Sequence, residues 1–179
     1  MNLSKDLFFT HQILAVLFSI TNKLQMQGDK YLQDLTIRQM LALPTIIHAP
    51  EGKATINYIA RKLGTTKQNT KQIVDALVKK NYVAVSPSEV DKRAVNVTVT
   101  PGNENAFKLC SDRTDEFLAD IFHDFTTDDL ETLWTLLDKL YRYDDASHDN
   151  SSEYLKNHTS DDMLQHHHRF MERRGNNHA

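Results

Sequence analysis

Glycine, proline and cysteine are all scarce in this chain: 5, 4 and 1 in 179 residues. With so few helix breakers, a mostly helical protein is expected. The lone cysteine, Cys110, excludes an intramolecular disulfide framework and fits a reducing cytoplasm. Long apolar runs are missing as well. The longest near the N-terminus, Ile13 to Phe18, falls far short of a bilayer span, and Asp6, His11 and Gln12 interrupt the approach to it. No basic leader followed by a small-residue cleavage site is visible, so a cytoplasmic protein without a membrane partner is expected. Nor does the chain carry a Gly-rich phosphate loop, a serine nucleophile elbow or a clustered Cys/His set. These absences argue against an enzyme and against a bound cofactor.

What the chain does have is charge, unevenly placed. Its length suits one domain, or one domain plus a dimerisation layer, and the formal net charge is -3. That total hides two opposed regions. Between residues 55 and 93 stand Arg61, Lys62, Lys67, Lys71, Lys79, Lys80, Lys92 and Arg93 against Asp75, Glu89 and Asp91. The block therefore carries roughly +5. Between residues 111 and 162 the balance reverses, with many Asp and Glu facing Arg113, Lys139, Arg142 and Lys156. A polyanion is drawn to the first region and repelled by the second. Charge alone leaves the basic block open between a solvated helix face and a nucleic-acid surface, so the order of elements around it matters.

Leu7, Phe8, Ile13, Leu14, Val16, Leu17, Ile20 and Leu24 recur at helical spacing and predict a first helix over 5–27, apolar on more than one face. Gly28-Asp29 is expected to end it. Thr36, with Gln39 three residues later, forms a capping box that opens a second helix to about His48, and Pro44 should kink or split that helix. Thr55 opens a third helix with Ile56, Ile59, Ala60 and Leu63 inward, followed by Gly64 as the turn residue. A second capping box, Thr65 with Gln68, opens a fourth helix to about Lys80. Its inward face is Thr70, Ile73, Val74 and Leu77, while Lys67, Gln68, Asn69, Lys71 and Gln72 crowd the other faces. The alternating runs Tyr82 to Val85 and Ala94 to Thr100 flank a polar tip and predict a hairpin. A fifth helix passes through Phe107, Cys110, Phe117 and Ile121, and Thr126 to Asp129 caps a sixth carrying Leu130, Leu133, Trp134, Leu137, Leu140 and Tyr141.

The predicted fold is thus mostly α: a winged helix-turn-helix at 33–100, with a three-helix core and a two-stranded β-wing, flanked by helices at 5–27 and 101–143. Those flanking helices offer more apolar surface than a minimal winged helix needs, which predicts a dimerisation layer. Beyond Tyr143 lies a polar, His-rich extension, 144–179, in which 160–174 is either a short docked helix or part of a tail.

With Leu35-Thr36 and Gln39, Ile59-Ala60 and Leu63, the Ile73 to Leu77 run, Asp91-Lys92-Arg93-Ala94, the Val97 to Thr100 strand and Gly102 in view, the chain resembles the MarR family of transcriptional regulators over about residues 5–143. The Asp-x-Arg wing followed by an alternating strand ending in Thr is the specific part. The resemblance implies a homodimer that presents the fourth helix to the major groove and Arg93 to the adjacent minor groove, with Asp91 orienting Arg93. It also implies a small-molecule effector in the cleft between the dimerisation helices and the DNA-binding domain. Asn81 stands where relatives often carry Gly, and Asn accepts left-handed backbone angles. Val85 stands where they often carry Arg, which removes one wing contact.

The expected function is a sequence-specific DNA-binding regulator, a repressor relieved by a signal, on a pseudo-palindromic operator in double-stranded DNA. Arg61, Lys62, Lys79 and Lys92 are assigned to phosphates. Gln68, Asn69, Lys71 and Gln72 suit base edges, because Asn and Gln can pair with adenine and Lys with guanine. Thr65, Thr66 and Lys67 sit where a helix N-terminus favours a phosphate, and Ser86, Ser88, Asp91, Lys92 and Arg93 form the wing, with Arg93 reading groove shape. The alternative is a winged-helix protein–protein module, disfavoured because this face lacks the aromatic and Met anchors of protein interfaces. His166, His167 and His168, with His158, His178, Asp161 and Asp162, read as a solvated tail in preference to a metal site. Cys110 reads as a structural thiol in preference to an oxidant sensor.

Overall fold

Four threonines set four helix starts. In the computed structural model, which describes residues 3–88, 94–143 and 170–175, Thr36, Thr55, Thr66 and Thr126 are the N-caps of α2 (Ile37–Ile47), α3 (Ile56–Lys62), α4 (Lys67–Lys79) and α6 (Thr127–Tyr141). Each side-chain oxygen accepts a backbone N–H from the first turn, satisfying a donor that the helix itself cannot. The remaining named elements are α1 (Leu3–Leu32), β1 (Val83–Pro87), β2 (Val95–Val99) and α5 (Glu104–Ile121). The chain divides into two compact units, Met1–Cys110 and Ser111–Ala179. The winged helix-turn-helix lies in the first.

Within that unit, α2, α3, α4 and the hairpin enclose a core of Leu35, Leu43, Ile46, Ile59, Val74, Leu77, Val83 and Val97. β1 and β2 pair antiparallel, with Val83 opposite Val99 and Pro87 opposite Val95. The free edge of β2 is tied to the start of α3, where the Val97 N–H donates to the Ala54 carbonyl at 2.9 Å. Asn81 takes a left-handed φ of 61° at the exit of α4, as its side chain tolerates. The Asn103 amide then donates to the Asn81 carbonyl at 2.8 Å and the Thr100 carbonyl at 3.1 Å, closing the base of the wing.

Three boundaries differ from expectation. The first helix does not stop at Gly28-Asp29 but continues to Leu32, with Gly28 buried inside it. An interior Gly costs a helix only about 1 kcal/mol relative to Ala and removes no hydrogen bond. The extra turn also has a use, since Asp29 Oδ1 accepts the Ile37 N–H at 2.7 Å at the start of α2. The chain reverses one turn later, at Gln33, with φ 55°. Pro44 does not split α2, which runs unbroken to Ile47. Proline removes one donor, yet its carbonyl still accepts the His48 N–H at 3.0 Å. The cap of α4 is Thr66, not Thr65: Thr66 Oγ1 accepts the Asn69 N–H at 3.2 Å, while the Thr65 N–H closes the turn onto the Ala60 carbonyl at 3.0 Å.

Lengthening α1 has a second consequence. By length and composition alone, Ser4–Leu32 is long and apolar enough to cross a membrane, because His11 and Gln12 do not interrupt the helix. Its Leu7, Phe8, Ile13, Leu14, Val16 and Phe18 are all exposed.

In the second unit, α6 starts with a capping box in which Thr126 and Asp129 exchange hydrogen bonds. The Thr126 hydroxyl and N–H hold the Asp129 carboxyl below its ordinary pKa. No residue of α6 is buried. Residues 170–175 are helical and docked on α5. The Arg173 guanidinium grips Asp120 with two hydrogen bonds of 2.8 and 2.9 Å and lies 3.6 Å from Glu116, while Arg174 donates to the Phe125 carbonyl. The rest of the 160–174 helix expectation, and His158, His166, His167, His168 and His178, lie outside the described residues.

Candidate nucleic-acid interface

Thr70, Val74 and Leu77 seal one face of α4 against the core, at 0, 1 and 0% exposure. At 100° per residue the opposite ridge is Gln68, Gln72, Asp75 and Lys79, and all four are exposed. The helix cannot rotate to hide this ridge without exposing its apolar face. Two long amides near the N-terminal end and a lysine at the C-terminal end therefore stand outward on a rigid element.

The other expected readers differ in freedom. Lys67 is exposed on the first turn. Lys71 is exposed but pairs with Asp75 at 2.6 Å, so reaching a base means leaving that carboxylate. Asn69 is half-buried, with its amide donating to Thr65 Oγ1 at 3.3 Å and its backbone N–H to Thr66 Oγ1 at 3.2 Å. Both threonines thus brace the N-terminus of α4 from within.

Arg61 and Lys62 form the last turn of α3, where a helix C-terminus favours cations. Both lie 5.7 Å from the centroid of the Tyr58 ring. In the wing, Ser86 and Val85 are exposed. Ser88 is 4% exposed and its N–H donates to the Ala94 carbonyl at 3.0 Å, so its hydroxyl is withdrawn from the expected wing contacts. Asp91, Lys92 and Arg93 lie outside the described residues.

Three residues of this region were not singled out by sequence reasoning. Tyr58 is one. Asp75 is the second, an acid on the outward ridge. The third is Lys80, whose ammonium turns away from the ridge and donates to Gln39 Oε1 at 2.9 Å and to the Asp34 carbonyl. A wheel drawn through α4 places Lys80 about 100° round from Lys79, toward α2, and separates the two lysines. His11, on α1, His48, at the end of α2, and His123 belong to no metal group; among the described residues no three His, Cys, Asp or Glu side chains are placed to hold one. Cys110 is half-buried and packs at the edge of the core beside Phe107.

A sequence profile of the MarR family matches residues 33–94, which span α2, α3, α4 and the first half of the wing. The transcriptional activatory protein BadR of Rhodopseudomonas palustris is 26% identical over 159 residues, covering 82% of this chain and 85% of that protein. A cysteine-to-serine variant of E. coli MarR, crystallised with operator DNA, superposes with a TM-score of 0.63 at 25% identity, covering 72% of this chain and 93% of the other. Residues 33–94 thus match the MarR family, and the fold is the one its regulators adopt. At lower identity the fold recurs in the S. aureus MepR–DNA complex, with a TM-score of 0.62 at 19% identity over 71% of this chain and 94% of that one. A MarR/EmrR family regulator from Acinetobacter sp. ADP1 gives 0.64 at 21% over 74% and 94%. The strict MarR-type order, helix, turn, capped helix and hairpin, is what fixes the outward ridge of α4 beside the basic end of α3.

Proposed function

We propose that this protein is a cytoplasmic, DNA-binding transcriptional regulator of the MarR family that grips a pseudo-palindromic operator as a homodimer. The observation that carries the reading is the outward ridge of α4, polar along its length while the opposite face is sealed in the core. Gln68 and Gln72 read base edges in the major groove. Lys67, Lys79, Arg61 and Lys62 neutralise phosphates. Thr65, Thr66 and Asn69 hold the helix N-terminus in shape, and Lys71 is released from Asp75 when a base or phosphate competes for it. The wing, with Ser86, Asp91, Lys92 and Arg93, enters the neighbouring minor groove.

The exposed apolar residues of α1 and α6 are assigned to the partner copy. Contiguous exposed apolar surface of this kind marks an interface, and both helices carry it at intervals of three and four residues. The same assignment gives the apolar length of α1 a protein partner in place of a bilayer. A two-fold reader spaces its heads about one DNA turn, roughly 34 Å, apart.

Repression is the assigned sign, since a dimer seated across a promoter excludes polymerase; lower expression of the target on deletion of the gene would reverse it. A small-molecule effector belongs to the same reading, and a thermal-shift screen of phenolic acids, drugs and divalent metals identifies it. The reading itself is tested by a gel shift on the promoter DNA next to the gene at two salt concentrations. A complex that weakens steeply with salt is expected. No shift at low salt favours a protein–protein module instead.

A further inference from the structure

Tyr58 lies on α3, the helix before the reading helix, its backbone fixed by the helix cap and its side chain packed against the core. Its backbone N–H donates to Thr55 Oγ1 at 3.2 Å, and the side chain is half-buried against the core. Arg61 and Lys62 stand three and four residues further on, so all three side chains share one helix face. The guanidinium carbon and the ammonium nitrogen each lie 5.7 Å from the ring centroid, within cation–π range.

We propose that Tyr58 is a positioning residue for phosphate binding, its core-anchored ring holding Arg61 and Lys62 as a paired cation clamp for the DNA backbone. Two adjacent cations repel and their long stems are costly to order. The electron-rich face of one fixed ring offsets the repulsion and restrains both stems before DNA arrives. Arg61 is exposed and Lys62 half-buried at the end of α3, so the restrained pair is within reach of a phosphate. The proposal rests on the DNA-binding reading and adds to it a residue that touches no DNA.

The test is fluorescence-anisotropy titration of the full-length protein on a labelled random-sequence duplex, between about 50 and about 200 mM salt. Phosphate binding carries no sequence information, so no operator is needed. Tyr58→Leu keeps apolar bulk and removes the ring; the slope of log affinity against log salt should fall by about 0.9 for each phosphate no longer neutralised, approaching about 1.8. Tyr58→Phe keeps the ring and should retain the full slope. A slope that Tyr58→Leu leaves unchanged, in a protein with the parent circular dichroism spectrum, overturns the proposal alone, as does a Phe variant that behaves like Leu. Failure of the parent protein to bind the duplex at low salt overturns the DNA-binding reading with it. Should Tyr58→Leu not fold, the restraint is read directly in the parent protein by 15N relaxation of the Arg61 Nε–H. An order parameter well above about 0.6 is expected, and one below it overturns the clamp.

Discussion

Asp129 accepts two hydrogen bonds from Thr126, one from the hydroxyl and one from the backbone N–H, and both favour the ionised carboxyl. Its folded pKa therefore lies below the ordinary 3.8. The ionised cap favours the folded chain at every pH above that value, and the advantage disappears as the pH falls through the lowered folded value. Asp129→Asn should thus lower the thermal midpoint at neutral pH, with the gap to the parent protein closing in acid; an equal gap at about pH 2 and about pH 7 would contradict this. On the outward ridge of α4, Gln68 and Lys79 stand at opposite ends, and the proposed DNA reading gives them different roles. Gln68→Ala should relax discrimination at one base pair, at about 1–3 kcal/mol, whereas Lys79→Ala should weaken all sequences alike and lower the salt slope by about 1. Parallel titrations on operator and random duplexes that show the same loss for both variants would refute the assignment.

At the scale of elements, the orientation of α4 depends on more than its apolar face. Lys80 follows its last turn and reaches α2, donating to Gln39 Oε1, while Gln39 also completes the capping box with Thr36. One ammonium therefore ties the end of α4 to the start of α2. Lys80→Met keeps the stem and removes the donor, and should cost about 1 kcal/mol in urea unfolding. Loss of operator affinity beyond that accounted for by one missing charge would come from a reading helix freed to tilt. An unchanged urea midpoint would mean that the tie contributes nothing. The second unit has a comparable tie, Arg173 on Asp120, which anchors residues 170–175 on α5.

At the scale of the molecule, the proposed homodimer rests on the exposed apolar residues. Phe18 is 69% exposed on α1 and Leu136 is 61% exposed on α6, values that a free surface rarely sustains in number. In a two-fold interface each residue is buried twice, so one large apolar side chain is worth about 3–6 kcal/mol to the dimer. Phe18→Glu should therefore weaken dimerisation at least about 100-fold and convert the protein to monomer at micromolar concentration. Light scattering gives the mass, and the same variant should lose the affinity that comes from two linked heads. A stable dimer with Phe18→Glu would move the interface away from α1.

What the sequence determined by itself was local. Helix starts, the order of helix, turn, helix and hairpin, the left-handed Asn81 and the capping box of α6 all arise from interactions within about four residues, which is the range that spacing reports. The sealed face of α4 was legible for the same reason, since Thr70, Val74 and Leu77 recur at helical period. The tertiary structure decided whatever depends on a partner far along the chain. Gly28 stays helical and Pro44 leaves α2 unbroken because packing offsets their unfavourable propensity. Thr66 caps in place of Thr65, whose N–H closes the turn onto Ala60, and Ser88 turns in where Ser86 stays out. Lys80 serves α2, 41 residues back along the chain, while its neighbour Lys79 faces solvent. Residue type fixed what each side chain could bind, and only the packed chain determined which of them remained available to bind it.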